Sequence, residues 1–383
     1  MPERIAVRDS AGVPVVESVL DAATPTCAVA PEPTLTIGVA DGPPEYQLHR
    51  TFGAARLSDG RIAIVNQGSE ELRFYDAEGR FLRASGGEGV GPGEFRDAFT
   101  LAVLPGDTLW VGELRPWSWE VFAPDGRWVR SVMPTPPHIN RSTTAVLDDG
   151  RMIIVPRTVG EVPLGRFAPR TMLAVLHAPH GALVDTIGIY EDGRDGRLEE
   201  APNLVLSPLF ESSARLVAGG SRVIVGHTSI PELRVHEAED TLRLDRIIRW
   251  TAEPRPVTAA DVAAEHARIA EQYADVDPGE RRRFADPLTH EDRPVADNFP
   301  VYSSVVIGRD GRIWVRGYPM PGAADNDEWL IFAPDGELQC RLSAERFQQM
   351  PDFGSDYILV MKRDDLGVER IHQYALGKPT PVE

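Results

Sequence analysis

Cysteine is nearly missing from this sequence of 383 residues, where Cys27 and Cys340 are the only two. Without a CxxC spacing they suggest neither a structural zinc site nor a redox motif. They can pair if the N-terminal segment packs beside the strand carrying Cys340. Otherwise they are two thiols, and the residues alone leave both outcomes open. Lysine is equally scarce: Lys362 and Lys378 are the only lysines among 40 basic residues, a bias we read as that of a GC-rich genome. Long apolar runs are lacking too. No stretch nears the roughly 20 apolar residues of a membrane helix, so no transmembrane span is expected. The N-terminus MPERIAVRDS has no apolar core of a signal peptide, so the chain as written is expected in the cytoplasm, or in the periplasm or outside the cell if a leader has been removed. Basic charge is outweighed by 58 acidic residues, and a net charge of -18 argues against a nucleic-acid binder. No GxSxG, HExxH or Walker sequence occurs.

What the chain has in quantity is turn formers, 34 glycines and 33 prolines, which point away from a helical bundle. They punctuate a repeat. Residues 55–82, ARLSDGRIAIVNQGSEELRFYDAEGRFL, match 102–129, AVLPGDTLWVGELRPWSWEVFAPDGRWV, as strand, tight turn, strand, polar loop, strand, Asp-Gly turn, strand. Alternation such as Ile62, Ile64 or Leu109, Val111 is the mark of half-buried strands. The unit recurs at Asp149-Gly150, Gly219-Gly220 and Asp310-Gly311, and a degenerate copy runs from Tyr357 to Leu376. Four-stranded units with almost nothing helical between them predict an all-β fold: a six-bladed β-propeller of antiparallel blades. The last copy has three strands at most. Gly42–Tyr46 mirrors Gly91–Phe95, which follows the end of a blade, so the strand at 33–38 is predicted to complete the sixth blade and close the ring. The expected organisation is a hairpin and lead-in over 1–32, the propeller over 33–377 with a helical insertion at 251–300, and a tail at 378–383.

The string GxGxGPGEF at Gly87–Phe95 and the turn DxxGRFL at Asp76–Leu82 resemble NHL-type repeats. The ending DDLGVERIHQYAL at 364–376 is similar to that of a bacterial family of mostly uncharacterised six-bladed propellers. The resemblance spans most of residues 5–377. It implies the fold, implies binding more than chemistry, and implies export for many members.

In a propeller the starts of first strands, the ends of second strands and the crossovers share one face. The predicted insertions at 157–170, 191–211, 251–300 and 317–328 all fall on that face, while the other carries short Asp-Gly turns, so the elaborated face is the expected binding face. Thr258 and Asp261 start a predicted helix whose Val262, His266, Ile269 and Tyr273 share one side, and a second short helix is expected from Asp277 through Phe284. The pair could act as a lid or only cap blades four and five. The residues expected at the channel mouth are Arg50, Asn66, Asp97, Glu113, Arg141, Arg157, His227, Tyr302, Arg316 and Lys362. Their recurring basic groups suit an anionic small molecule, a glycan, a peptide or a partner protein. Trp117 and Trp119 follow Pro116 in a predicted loop on the same face, placed to stack on a sugar or aromatic ligand. No cofactor is expected on this reading. The alternative is a propeller lyase or hydrolase with a divalent metal at His227, acid–base help from Glu113, and the substrate anion held by Arg50, Arg141 and Arg316. One histidine on the ring is few for a metal site, which favours binding. His177 and His180 form an HxxH, but His180 falls in a turn of the opposite face. Asp325, Asp327 and Glu328 lack the spacing and glycine of a calcium loop.

Overall fold

The computed structural model describes residues 5–114, 117–136, 141–156, 161–239, 241–322, 326–347 and 349–380, with the backbone alone at 141–144. The chain is built almost wholly of antiparallel strands. A hairpin of β1 (Ile5–Ser10) and β2 (Val13–Ser18) and a short β3 (Leu35–Ile37) come first. The first sheet follows as β4 (Thr51–Arg56), β5 (Ile62–Asn66), β6 (Glu71–Tyr75) and β7 (Phe81–Gly86). The second is β8 (Ala98–Leu104), β9 (Thr108–Leu114), β10 (Trp117–Phe122) and β11 (Trp128–Val132). The third is β12 (Arg141–Val146), β13 (Met152–Pro156), β14 (Arg166–His177) and β15 (Leu183–Arg197). The fourth is β16 (Ala214–Gly219), β17 (Arg222–His227), β18 (Glu232–Ala238) and β19 (Leu242–Trp250). The fifth is β20 (Tyr302–Ile307), β21 (Ile313–Gly317), β22 (Asn326–Phe332) and β23 (Leu338–Glu345), and the sixth is β24 (Gln349–Phe353), β25 (Tyr357–Arg363) and β26 (Glu369–Ala375). β3 pairs antiparallel with β26 as the sixth sheet's outer strand, and β2 adds in parallel to β19, extending the fourth sheet with the hairpin.

Apolar clusters fill the spaces between consecutive sheets, because each strand points alternate side chains to its two faces. Ile62 and Ile64 of the first sheet meet Leu359 and Met361 of the sixth, while Ala63 and Val65 face Leu109 and Val111 of the second. The first strand of each sheet lies beside that of the next: β4 by β8, β8 by β12, β12 by β16, β16 by β20, and β24 by β4. The gap from fifth to sixth is bridged by Arg309 N–H donating to the Phe353 carbonyl at 2.8 Å.

The Asp-Gly-Arg turns between first and second strands explain part of the arginine content. At Asp59–Arg61 the carboxylate accepts the Arg61 N–H at 3.1 Å and its Nε at 2.6 Å, and Gly60 supplies the positive φ the turn needs. The guanidinium then reaches the next sheet, donating to the Pro124 carbonyl at 2.8 Å. Arg151 does the same to Ala238, Arg222 to Pro334 and Arg312 to Gly354. These side chains staple neighbouring sheets.

The N-terminal segment crosses the outer edges of three sheets in turn. It leaves β2 beside β19, and Thr251 N–H donates to the Ser18 carbonyl at 3.1 Å. It then binds β23, where Cys27 N–H donates to the Arg341 carbonyl at 2.8 Å and Cys27 and Cys340 form a disulfide with both residues buried. It ends in β3.

Two expectations need correction. The predicted insertions at 157–170 and 191–211 are not all loop. β14 and β15 pair with each other back to Arg166 and Arg197, beyond their contact with β13, and form a projecting ribbon. Its polar sequence hid the strands, whose pairing is supplemented by Arg170 reaching Asp192 at 2.8 Å and Asp195 at 2.6 Å. Trp117 and Trp119 are not loop residues either. Both lie in β10, 6% and 1% exposed, packed edge-on to each other 6.2 Å apart, so neither is free to stack on a ligand.

Within 251–300 the described helix is α1 (Ala259–Gln272), started by a Thr258/Asp261 capping box. Val262 packs toward Phe210, Phe299, Tyr318 and Met320. The expected second helix is also present: Asp277 caps a short helical run over residues 278–289 that passes from an α-helical turn (Pro278–Glu280) through a wider π turn (Arg281–Ala285) to a tighter 3-10 turn (Asp286–Thr289).

Candidate functional site

A cavity of about 1020 Å³ opens between the fourth and fifth sheets beneath the two ends of the insertion. Those ends run antiparallel as a roof: Val257 N–H donates to the Asp297 carbonyl at 3.0 Å, and Phe299 N–H to the Arg255 carbonyl at 2.9 Å. The roof is tied down by Val301 N–H donating to the Thr228 carbonyl at 2.7 Å. Trp250, Phe299, Tyr302 and Trp329 supply aromatic wall, with Ile230, Val315 and Leu330 between them. Leu20 of the N-terminal segment closes one side, its N–H held by Thr251 Oγ1 at 2.8 Å. The Trp250 and Tyr302 rings meet edge-on at 5.8 Å, which fixes both.

Tyr302 is 1% exposed, and among the described residues its hydroxyl has no hydrogen-bond partner. Burial pushes the phenol up, opposed by the Arg215 guanidinium and reinforced by Glu232. The ring fits only because residue 226 is glycine, since a Cβ there would run into the Tyr302 hydroxyl. The cavity's charged groups are Glu253, Asp297, Glu328, Arg255 and Arg341, so neither sign dominates. Arg255 donates to the Pro300 carbonyl at 3.4 Å and Glu328 accepts from Ser343 Oγ at 2.6 Å.

Of the ten predicted mouth residues, only Tyr302 lines this cavity. Strand alternation sends Asn66, His227, Arg316 and Lys362 into other gaps. Asn66 follows Ile62 and Ile64 toward the sixth sheet, and its Oδ1 accepts the His49 N–H at 2.8 Å. His227 follows Val223 and Val225 toward the third sheet, with Nδ1 on Ser229 Oγ at 2.7 Å and Nε2 buried without a partner. Arg316 and Lys362 share the gap between fifth and sixth sheets, but each meets a carboxylate: Arg316 holds Asp327 at 2.7 Å, and Lys362 holds Glu345 at 2.9 Å while lying over Phe347 and Tyr374. Arg50 is exposed and acts on Glu70 through its charge. Arg141 sits opposite Pro156 in β12, and its side chain is not among those described. Arg157 lies outside the described residues, as do Pro116 and Asp325.

Glu113 and Asp97 flank a different environment, between the first and second sheets. Glu113 is 5% exposed, and Oε1 accepts the Arg96 N–H at 3.0 Å. Burial, then the neighbouring Glu120, Glu70 and Asp97, push its carboxyl up to about 7. Asp97 lines a small cleft of about 580 Å³ with Glu88, Gly89 and Arg96. This part of the mouth is therefore acidic where a basic rim was expected.

Among the described residues one set of metal-type ligands comes together: Glu200, His290 and Asp292, with ligand atoms within 4.8 Å of one another. Glu200 faces His290 Nε2 at 3.9 Å and Asp292 faces Nδ1 at 3.8 Å, so the carboxylates flank opposite edges of the ring. His227 belongs to no such set among the described residues. His177 is buried with Nδ1 on the Gly181 carbonyl at 2.8 Å, a structural contact.

Sequence reasoning missed the aromatic cavity because its walls come from segments far apart in the chain. The available signal was Trp250, a large aromatic residue ending a strand immediately before the longest insertion.

The fold and the cavities define a protein of the β-propeller class, all-β and made of four-stranded antiparallel sheets packed side by side. Its sequence matches no protein-family model, and a search of curated proteins also gives no match. Among solved structures it is similar to a candidate exported protein from Bacteroides fragilis, at TM-score 0.54 and 9% identity over 95% of this chain and 99% of that one. It is similar to a member of the DUF4221 family from Bacteroides vulgatus, at TM-score 0.52 and 10% identity over 93% and 99%. A weaker likeness is to virginiamycin B lyase from Staphylococcus aureus, at TM-score 0.39 and 7% identity over 89% and 98%. No helix of the described residues is long and apolar enough to cross a membrane.

Proposed function

We propose that the chain is a six-bladed propeller closed by β3, which works in an oxidising compartment as a binding protein for a small apolar molecule. The cavity between the fourth and fifth sheets carries this reading. A concave space of about 1020 Å³ with aromatic walls is the size and character of a small-molecule site. Its balanced charges favour a neutral or internally balanced ligand over the anion expected from the mouth arginines. Six sheets with neighbouring first strands, and β3 on the edge of β26, support ring closure. The buried Cys27–Cys340 disulfide supports export, because such bonds persist outside reducing cytosol. The resemblance to NHL-type repeats rests on two short strings alone.

A fluorescence titration with N-phenyl-1-naphthylamine, a neutral apolar probe, tests this reading. Wild-type protein should bind it saturably, and Ala252→Trp, which fills the cavity from its exposed roof, should weaken binding by about tenfold or more with little change in melting temperature. Equal binding by both proteins would remove the cavity from the account.

A second reading, a lyase or hydrolase, draws support from Glu113 alone, whose carboxyl titrates near neutrality beside the cleft at Asp97. Turnover lost in Glu113→Gln with no loss of stability would favour it.

A further inference from the structure

A second cavity, of about 740 Å³, lies where the first strands of all six sheets end. Ala54, Ala102, Ala145 and Ala218 contribute small groups to its wall beside larger ones such as Leu101 and Ile307, and its rim is the set of turns into the second strands. It therefore opens away from the crossovers that roof the aromatic cavity.

Most of its charged side chains are already engaged. Asp107 accepts from Ser58 N–H at 3.1 Å and Oγ at 2.6 Å. Arg222 holds Glu237 at 2.7 Å, and Asp310 holds Arg312 at 2.5 Å. Asp352 accepts the Arg56 N–H at 2.8 Å and the Tyr357 hydroxyl at 2.7 Å. Two groups remain. Arg309 and Asp148 are both exposed, and among the described residues neither side chain makes a hydrogen bond or ion pair. They are still close enough for the Arg309 charge to act on Asp148, and on Asp352 as well.

An unpaired guanidinium and an unpaired carboxylate that line one cavity complement a ligand with the reverse arrangement. A simple anion would be drawn to Arg309 but repelled by Asp148, Asp310 and Asp352. A simple cation would meet the opposite conflict. A molecule bearing a carboxylate and an ammonium on neighbouring atoms satisfies both, and the small wall residues leave room for its side chain.

We propose that this axial cavity binds a free α-amino acid, its carboxylate on Arg309 and its ammonium on Asp148. This site is independent of the aromatic cavity. The test is calorimetric titration of the full chain with each of the twenty L-amino acids, then with the N-acetyl and amide derivatives of any that bind. At least one amino acid should bind saturably. Its affinity should fall about tenfold or more in Arg309→Gln, in Asp148→Asn and with either derivative, since each change removes one charge-assisted contact. Ala252→Trp should leave it unchanged. Both axial side chains are exposed, so the melting temperatures of these variants should stay near wild type, and that measurement separates lost binding from lost fold. Failure of all twenty amino acids to bind, or equal binding by Arg309→Gln, would overturn the proposal.

Discussion

Replacing the disulfide by Cys27→Ala/Cys340→Ala should destabilise the chain measurably. The bond joins residues 313 apart in sequence, so in the unfolded chain it constrains most of the polymer. The chain-entropy relation for such a loop gives about 5–6 kcal/mol at 25 °C, and native disulfides measured by removal fall at about 2–5 kcal/mol. A chain of this length unfolds with an entropy near 0.8 kcal/mol/K, so the expected fall in melting temperature is about 3–7 °C. Differential scanning calorimetry of wild type and double variant, with and without reductant, measures it. Wild type in reductant should converge on the variant, and the variant should not respond to reductant. Identical melting of the two proteins without reductant would refute the reasoning, because the N-terminal segment would then be no integral part of the fold.

Three further outcomes follow from particular contacts. Glu113 binds its proton more tightly folded than unfolded, so its contribution to stability is present below about pH 4.5 and is lost as pH rises through about 7. Glu113→Gln should abolish that loss, gaining about 1–3 kcal/mol relative to wild type at pH 8 but little at pH 4, read from urea melts at both pH values. Gly226→Ala should cost about 1–3 kcal/mol and displace Tyr302 from the cavity wall, visible as weakened naphthylamine binding; unchanged binding and stability would count against the described packing. Thr258→Ala should cost the insertion helix about 1 kcal/mol, seen as faster amide exchange confined to residues 259–273, whereas global acceleration would mean that the helix is part of the main cooperative unit.

The all-β class and the four-stranded units were legible because their signals are local: period-two alternation and an Asp-Gly turn at a fixed place in each repeat. The start of α1 was legible for the same reason, since Thr258 and Asp261 satisfy each other within one turn. The mouth was not legible. First strands shift register near their starts, at Thr51/Gly53, Ala98/Thr100 and Tyr302/Ser304, and each shift changes which gap the neighbouring side chains enter. No composition cue marks those bulges. Arg316 was read correctly as a strand-end residue, but its partner Asp327 lies across the sheet, and pairing of that kind emerges only with the register. The ribbon of β14 and β15 was missed because its outer part is mostly polar and lacks clean apolar alternation, although its strands pair with each other and Arg170 bridges to Asp192 and Asp195.

The central claim, that the space between the fourth and fifth sheets is the binding site for an apolar molecule, is tested most directly by hydrogen exchange with and without the naphthylamine probe. The account predicts protection concentrated at residues 228–231, 250–255 and 296–302, where the roof and walls of the cavity meet. Protection centred instead on residues 88–113 at the acidic part of the mouth, or no change in the cavity segments at saturation, would contradict it.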